Sequence, residues 1–216
     1  MDRRASIWYS TASCLILILS SYALGQEFNV GEITQLQGEI TALEFAAPYR
    51  KVSLSKKSAL KEENSILSGE DSFYNAKLLD GSWIRVSPRT KLSFDYDPIQ
   101  KTILINLYSG SIKILFSTNL NQRKIEKIIV HTADLKIESA DGKFSLMRNI
   151  LTNESSVFVE KGLVMASLQN NLNQQIYLHG REKLILPDRQ KVLPGTEVIK
   201  DKEMKTIHSK FYLKIK

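Results

Sequence analysis

The chain has 216 residues, 43% of them hydrophobic, with 30 Lys and Arg against 23 Asp and Glu for a formal net charge of +7. A single cysteine excludes a disulfide framework and a metal centre built on cysteines. The basic residues are spread among acids as on a soluble mixed surface, and the alternative reading of the excess is attraction to an anionic envelope surface or an acidic partner.

Met1-Asp2-Arg3-Arg4 opens the chain with net positive charge, and Ala5 to Gly25 then runs without a charged residue around the apolar Leu15–Leu19. Ala23-Leu24-Gly25 places small residues where a signal peptidase reads, so residues 1–25 are expected to be a secretory signal peptide cleaved before Gln26. The other reading of the same run is an uncleaved membrane anchor. Cys14 precedes the apolar heart and is read as a passenger. Cleavage would leave +6 of the charge, because Arg3, Arg4 and Asp2 go with the leader. Export disfavours nucleic acid as a partner. Roughly 190 residues remain, ample for one core.

The rest is written in short apolar alternations separated by turn residues, the pattern of strands. Ile33 and Leu36, then Ile40, Leu43 and Phe45, flank Gly38, and Val52 and Leu54 follow. Ala76 and Leu78 lead into Asp80-Gly81, a reversal suited to Gly and to an Asp that bonds its own turn. Ile84 and Val86 resume the alternation, Ser87-Pro88 breaks it, and Leu92 and Phe94 give a third strand of a meander. Ile103, Ile105 and Leu107 face Ile112, Ile114 and Phe116 across Ser109-Gly110, which reads as a hairpin. Val157 and Val159 face Val164 and Ala166 across Glu160-Lys161-Gly162 in the same way. Asp141-Gly142 and Gly180 mark further turns.

The expected fold is therefore all-β: a single jelly-roll-like or β-solenoid-like domain of many short strands over residues 26–195. Pro194-Gly195 sets a boundary before a basic extension, 196–216. In that extension Phe211, Leu213 and Ile215 alternate with Tyr212, Lys214 and Lys216, so an added edge strand, or a strand for docking a partner, is expected. The helical candidates are Asp188 to Lys191 and the tail from Val198.

No reactive constellation emerges. His131, His179 and His208 lack metal-ligand spacing. Asp95 and Asp97 share a face but lack the further oxygens Ca²⁺ needs, and Asp97-Pro98 reads as a turn. Glu62-Glu63 and Glu70-Asp71 sit in loop-like sequence. There is no Gly-x-Ser-x-Gly elbow and no phosphate-cradling loop. No metal or cofactor is expected, and the protein is not expected to be an enzyme. The aromatics invite a different question. Trp83 either points outward beside Arg85, suiting a sugar ring or a protein partner, or closes the mouth of the core. Trp83, Arg85 and Tyr96 are the candidate partner-binding residues, and Asp80, Gly81, Gly110 and Gly162 the structural turn residues.

The order of these motifs resembles the FecR domain family. The residues that carry the resemblance are the opening strand pair around Gly38, Ile66-Leu67-Ser68-Gly69-Glu70-Asp71-Ser72, Ala76-Lys77-Leu78-Leu79-Asp80-Gly81-Ser82, Ile84-Arg85-Val86-Ser87-Pro88, Tyr108-Ser109-Gly110-Ser111-Ile112, Val130-His131-Thr132-Ala133, and Val157 to Val164. Each motif alone is weak; their succession covers about residues 30 to 190. The resemblance implies an extracytoplasmic all-β module, which in the best-known members relays a signal from an outer-membrane siderophore receptor to a cytoplasmic sigma factor. Two departures stand out: the leader begins at Met1, leaving no cytoplasmic sigma-binding segment before Gly31, and Ser139 to Phe144 replaces the family's usual Gly-Thr step.

Two function classes follow. The first is a non-catalytic binding or scaffold module in the bacterial cell envelope, periplasmic or secreted, recognising an envelope protein or a peptidoglycan or other glycan. The alternative is an extracytoplasmic signalling component that reaches a sigma-factor system through a membrane-protein partner.

Overall fold

The computed structural model describes residues 28–44, 50–118, 125–188 and 192–211. Seventeen strands and one helix lie among them: β1 (Asn29–Gln37), β2 (Ile40–Glu44), β3 (Arg50–Leu54), β4 (Ala59–Lys61), β5 (Ser65–Ser68), β6 (Phe73–Leu78), β7 (Trp83–Val86), β8 (Lys91–Asp97), β9 (Thr102–Leu115), β10 (Lys127–His131), β11 (Leu135–Ser139), β12 (Lys143–Asn149), β13 (Glu154–Lys161), β14 (Leu163–Leu168), β15 (Asn171–His179), β16 (Glu182–Leu186), β17 (Glu197–Val198) and α1 (Asp201–Phe211). The fold is all-β.

The pairings resolve into two sheets that share β9. Sheet I runs β4-β1-β6-β7-β9-β12-β13-β16-β17, antiparallel throughout. Sheet II runs β3-β2-β5-β8-β9-β10-β11-β14-β15, with β9–β10 its one parallel pair. Residues 102–109 of β9 pair within sheet II and residues 110–115 within sheet I. After β9 the chain lays down two strands in sheet II, two in sheet I, two in sheet II and two in sheet I. It is a winding of hairpins between two layers.

The inward positions alternate as strand geometry demands. Ile84, Val86, Ile112, Ile114, Phe144, Leu146, Val157 and Val159 come from sheet I; Ile66, Leu92, Phe94, Ile103, Ile105, Val130, Ile137 and Val164 come from sheet II. All belong to one buried cluster, which is the contact between the layers. β-branched and aromatic side chains dominate it, and each fully buried one contributes about 1.5–3 kcal/mol.

Asp80-Gly81 closes the β6–β7 hairpin: the Gly81 N–H donates to Leu78 O at 2.9 Å. Asp80 is buried, its Oδ1 accepting from Ser82 N–H at 3.0 Å and its Oδ2 from the Ser82 hydroxyl at 2.7 Å. The other expected hairpins are corrected. Gly110 reverses nothing; it sits inside the continuous β9, where the strand bends out of one sheet into the other. Gly162 separates β13 in sheet I from β14 in sheet II, and Gly180 separates β15 from β16 in the same manner. Ser87-Pro88 likewise sends β8 to sheet II, so the three-strand meander ends after two strands.

The physical reason is that alternation with a short connection specifies a corner, and not whether the chain turns in its sheet or crosses to the next layer. Where two crossings stack, side chains are excluded. A Cβ on Gly142 would lie 2.8 Å from the Gly162 Cα, and both glycines hold positive φ.

At the C-terminus β17 adds two residues to β16, and the chain then turns into α1. Phe211, expected to open a final strand, is the last residue of α1; Leu213 and Ile215 lie outside the described residues, as do the leader 1–25 with Cys14, Phe45, and most of the Asp188–Lys191 candidate.

Candidate functional site

The two outer faces of the sandwich differ. On sheet I, Trp83 and Arg85 emerge from alternate positions of β7 and face outward together. Trp83 lies opposite Lys77 and Leu115, and Arg85 opposite Asn75 and Lys113. Lys113 has no exposed surface although its neighbours Ile112 and Ile114 fill the core side. It pairs with Glu160, which also takes Lys143 at 2.7 Å. Burial alone would raise the Glu160 carboxyl; the hydrogen bonds from Lys113 and Lys143 outweigh it and hold the group below its ordinary value. Lys113 itself is lowered, by burial first and by Lys143 and Arg85 beside it.

Further along this face Phe158 packs against Ile199, Met204 and Ile207 of the C-terminal segment. Lys183 reaches Glu197 at 3.2 Å and Glu203 at 2.8 Å, and Arg181 pairs with Asp201. The outer side of sheet I is thus charged and partly covered by α1.

Sheet II is open. Its outer positions form rows across the strands, because residues opposite each other share a face. One row reads Leu43, Ser65, Ser93, Asn106, His131, Lys136, Ser167 and Gln175. A second reads Asp95, Leu104, Ile129, Glu138, Met165 and Tyr177. Large apolar side chains stand exposed on this face: Leu43 at 39%, Leu67 at 43%, Tyr108 at 50%, Leu163 at 43% and Tyr177 at 54%.

Between them runs a fixed polar line. The Asn106 amide donates to Ser93 Oγ and to Asp95 Oδ2, each at 3.2 Å, and the Ser93 and Tyr108 hydroxyls are 3.2 Å apart. Lys91 Nζ lies 5.4 Å from the Tyr108 ring centre. Glu138 is tied to Lys127 at 3.2 Å and to Lys136 at 2.6 Å. A cleft of about 350 Å³ beside it is lined by Lys127, Glu138, Asp141, Leu163, Met165 and Tyr177. His131 sits between Asn106 and Lys136 in the ladders; burial lowers its pKa, Lys136 lowers it further and Glu138 opposes.

The structure therefore brings Trp83 and Arg85 together and separates Tyr96 from them. Tyr96 is on β8 in sheet II, packed at the end of the core with its ring stacked on Phe28 at 4.5 Å and 8° between planes. Its backbone N–H donates to Glu62 Oε1 at 2.7 Å, which engages one carboxylate of the Glu62-Glu63 pair. Asp97 accepts the N–H groups of Ile99 and Gln100, both at 2.9 Å, capping the turn after β8. Glu70 pairs with Arg89. Among the described residues no three His, Cys, Asp or Glu side chains gather as a metal-ligating group.

Sequence reading missed the sheet II face as a unit. Its apolar members are out of phase with core neighbours (Leu43 beside Ala42, Leu67 beside Ile66), and that phase was the available signal.

The fold has known counterparts. Two crystal structures of a candidate anti-sigma factor from Parabacteroides distasonis, at 1.65 and 2.50 Å resolution, match with TM-scores of 0.54 at 12% and 13% identity. The first match takes in 67% of this chain and 64% of the neighbour, and the second 65% and 62%. At such identity the likeness is one of fold. No family model matches the chain, and no curated protein does either.

Proposed function

We propose that this protein is a non-catalytic binding module of the bacterial cell envelope, and that it docks an envelope protein on the outer face of sheet II. One observation carries the reading: that face is a broad, rigid sheet surface with five exposed large apolar side chains around a hydrogen-bonded polar line. Large apolar side chains exposed together on one sheet face mark an interaction surface. Exposed Tyr side chains among hydrogen-bonding groups, as Tyr108 and Tyr177 stand here, are enriched in protein-docking patches. The order of FecR-like motifs and the expected leader support an exported setting.

A second reading, a signalling role through a membrane-protein partner, is favoured by the resemblance to candidate anti-sigma factors in fold. Copurification from envelope extracts tests both. A stoichiometric envelope protein lost on Tyr108→Ser or Leu67→Lys supports docking on sheet II, and a membrane-spanning identity for that protein supports signalling. Turnover of an envelope substrate by the purified chain would overturn the non-catalytic reading.

A further inference from the structure

Among the described residues each sheet ends in two edge strands, and three of the four are guarded. β3 carries Arg50 and Lys51, β4 is three residues long, and β17 is two residues long and runs into α1. Charge and brevity are how natural sheets keep edges from pairing with other chains. β15 has neither protection. It is nine residues long, Asn-Leu-Asn-Gln-Gln-Ile-Tyr-Leu-His, with no Asp, Glu, Lys or Arg and no Pro, and it is exposed along most of its length.

The open segment can be located. A register shift between Ser167 and Leu168 leaves Leu172–Gln174 without partners on β14, while Gln175 to His179 pair regularly. The His179 N–H donates to Glu182 Oε2 at 2.7 Å, so it points away from β14. Backbone groups alternate sides along a strand, so the N–H and C=O of Tyr177 and Gln175 point the same way. The Leu193 N–H closes the far end on Gln174 Oε1 at 3.4 Å. Between these tethers, among the described residues, no strand pairs with that side of β15.

We propose that β15 pairs antiparallel with β15 of a second copy of this chain, about a two-fold axis through Ile176 that sets Gln175 opposite Tyr177 and joins the two sheets II into one. Only residues on the same face can be opposed in such a pair, and Gln175 and Tyr177 both lie on the outer face, opposite Ser167 and Met165. Two exchanging pairs then satisfy the outward N–H and C=O groups of both copies.

Charge selects the occupant. A chain of net +7 repels its own copies, and it attracts an acidic partner to surfaces that carry Lys and Arg. β15 carries no cation to attract the acidic partner and none to repel the copy. Its outward backbone groups both donate and accept, so the edge is complementary to itself when two copies run antiparallel. The pairing is isologous, as closed homodimers require.

This inference is independent of the proposed docking partner and is read on the purified chain without the expected leader, residues 26–216. Sedimentation velocity from about 1 to 200 μM is expected to show a monomer–dimer equilibrium. Gln175→Lys and Tyr177→Glu, each adding like charges to the edge, should weaken it about tenfold or more, and the double variant, which sets Lys opposite Glu across the axis, should restore it to within about threefold. Both positions are on the exposed edge, and unchanged melting of the variants keeps the comparison clean. A strictly monomeric wild-type chain, or association indifferent to these substitutions, would overturn the proposal.

Discussion

Thr90 packs onto Gly110 at the point where β9 leaves one sheet for the other. Gly110 holds φ near +87°, and a Cβ there would lie 2.7 Å from the Thr90 Cβ. Thr90 Oγ1 accepts the Ser111 N–H at 3.0 Å, and the Thr90 N–H donates to Ser68 Oγ at 2.9 Å. This corner ties sheet II to sheet I through one strand. Gly110→Val must relieve both a forbidden φ and a clash with backbone and should cost about 3 kcal/mol or more. Denaturant unfolding measures it, and a midpoint within error of wild type would show that the corner can be built another way.

Glu160 holds two lysines, one of them without exposed surface. Glu160→Leu leaves Lys113 and Lys143 facing each other in a desolvated site, and breaking a buried pair from one side costs about 3–5 kcal/mol. The double variant Lys113→Met with Glu160→Leu should recover much of that loss. The thermodynamic cycle reads the coupling directly, and additive losses would show that the two residues act separately.

His131 makes stability depend on pH. Its pKa is lowered from 6.5, so the unfolded chain binds the proton more readily than the folded one. The neutral form's contribution is complete above pH 6.5 and is lost as pH falls through the lowered value. The groups facing it are Asn106, Lys136 and, less closely, Glu138. His131→Asn should flatten the fall in melting temperature as pH drops below 6.5. A slope in that window equal to wild type would assign the effect elsewhere.

The C-terminal helix packs on a small cluster of its own. Ile199 and Ile207 form with Met204 and Phe158 a cluster apart from the main core. Ile207→Ser should loosen α1 at about 2 kcal/mol, the low end for a buried aliphatic loss. Hydrogen exchange would show faster amides in 199–211 with the sheets unchanged; protection lost across β12 and β13 as well would make α1 part of the core.

Most of the longer strands were legible because they carry the two-residue period in their own residues, from Ile84 and Val86 to Val157 and Val159. The Asp80-Gly81 hairpin was legible for the same local reason: Leu78, Asp80, Gly81 and Ser82 close it within one short stretch. The layer crossings at Gly110, Gly142 and Gly162 were not, since what distinguishes a crossing from a hairpin is a stacked corner from elsewhere in the chain. α1 was weakly visible in the tail from Val198, but what fixes it is the distant Phe158, Arg181 and Lys183. The sheet II face was hidden because Ser93, Asn106, Tyr108, His131 and Tyr177 meet only through long-range register.

The central claim is that the outer face of sheet II, and not that of sheet I, meets the partner. Photocrosslinking residues placed singly at Leu67 and Tyr108 on sheet II, and at Lys77 and Trp83 on sheet I, decide it in envelope preparations. The account predicts that positions 67 and 108 crosslink one envelope protein in high yield while 77 and 83 give only background. Capture of that protein from 77 and 83, with 67 and 108 silent, would contradict it.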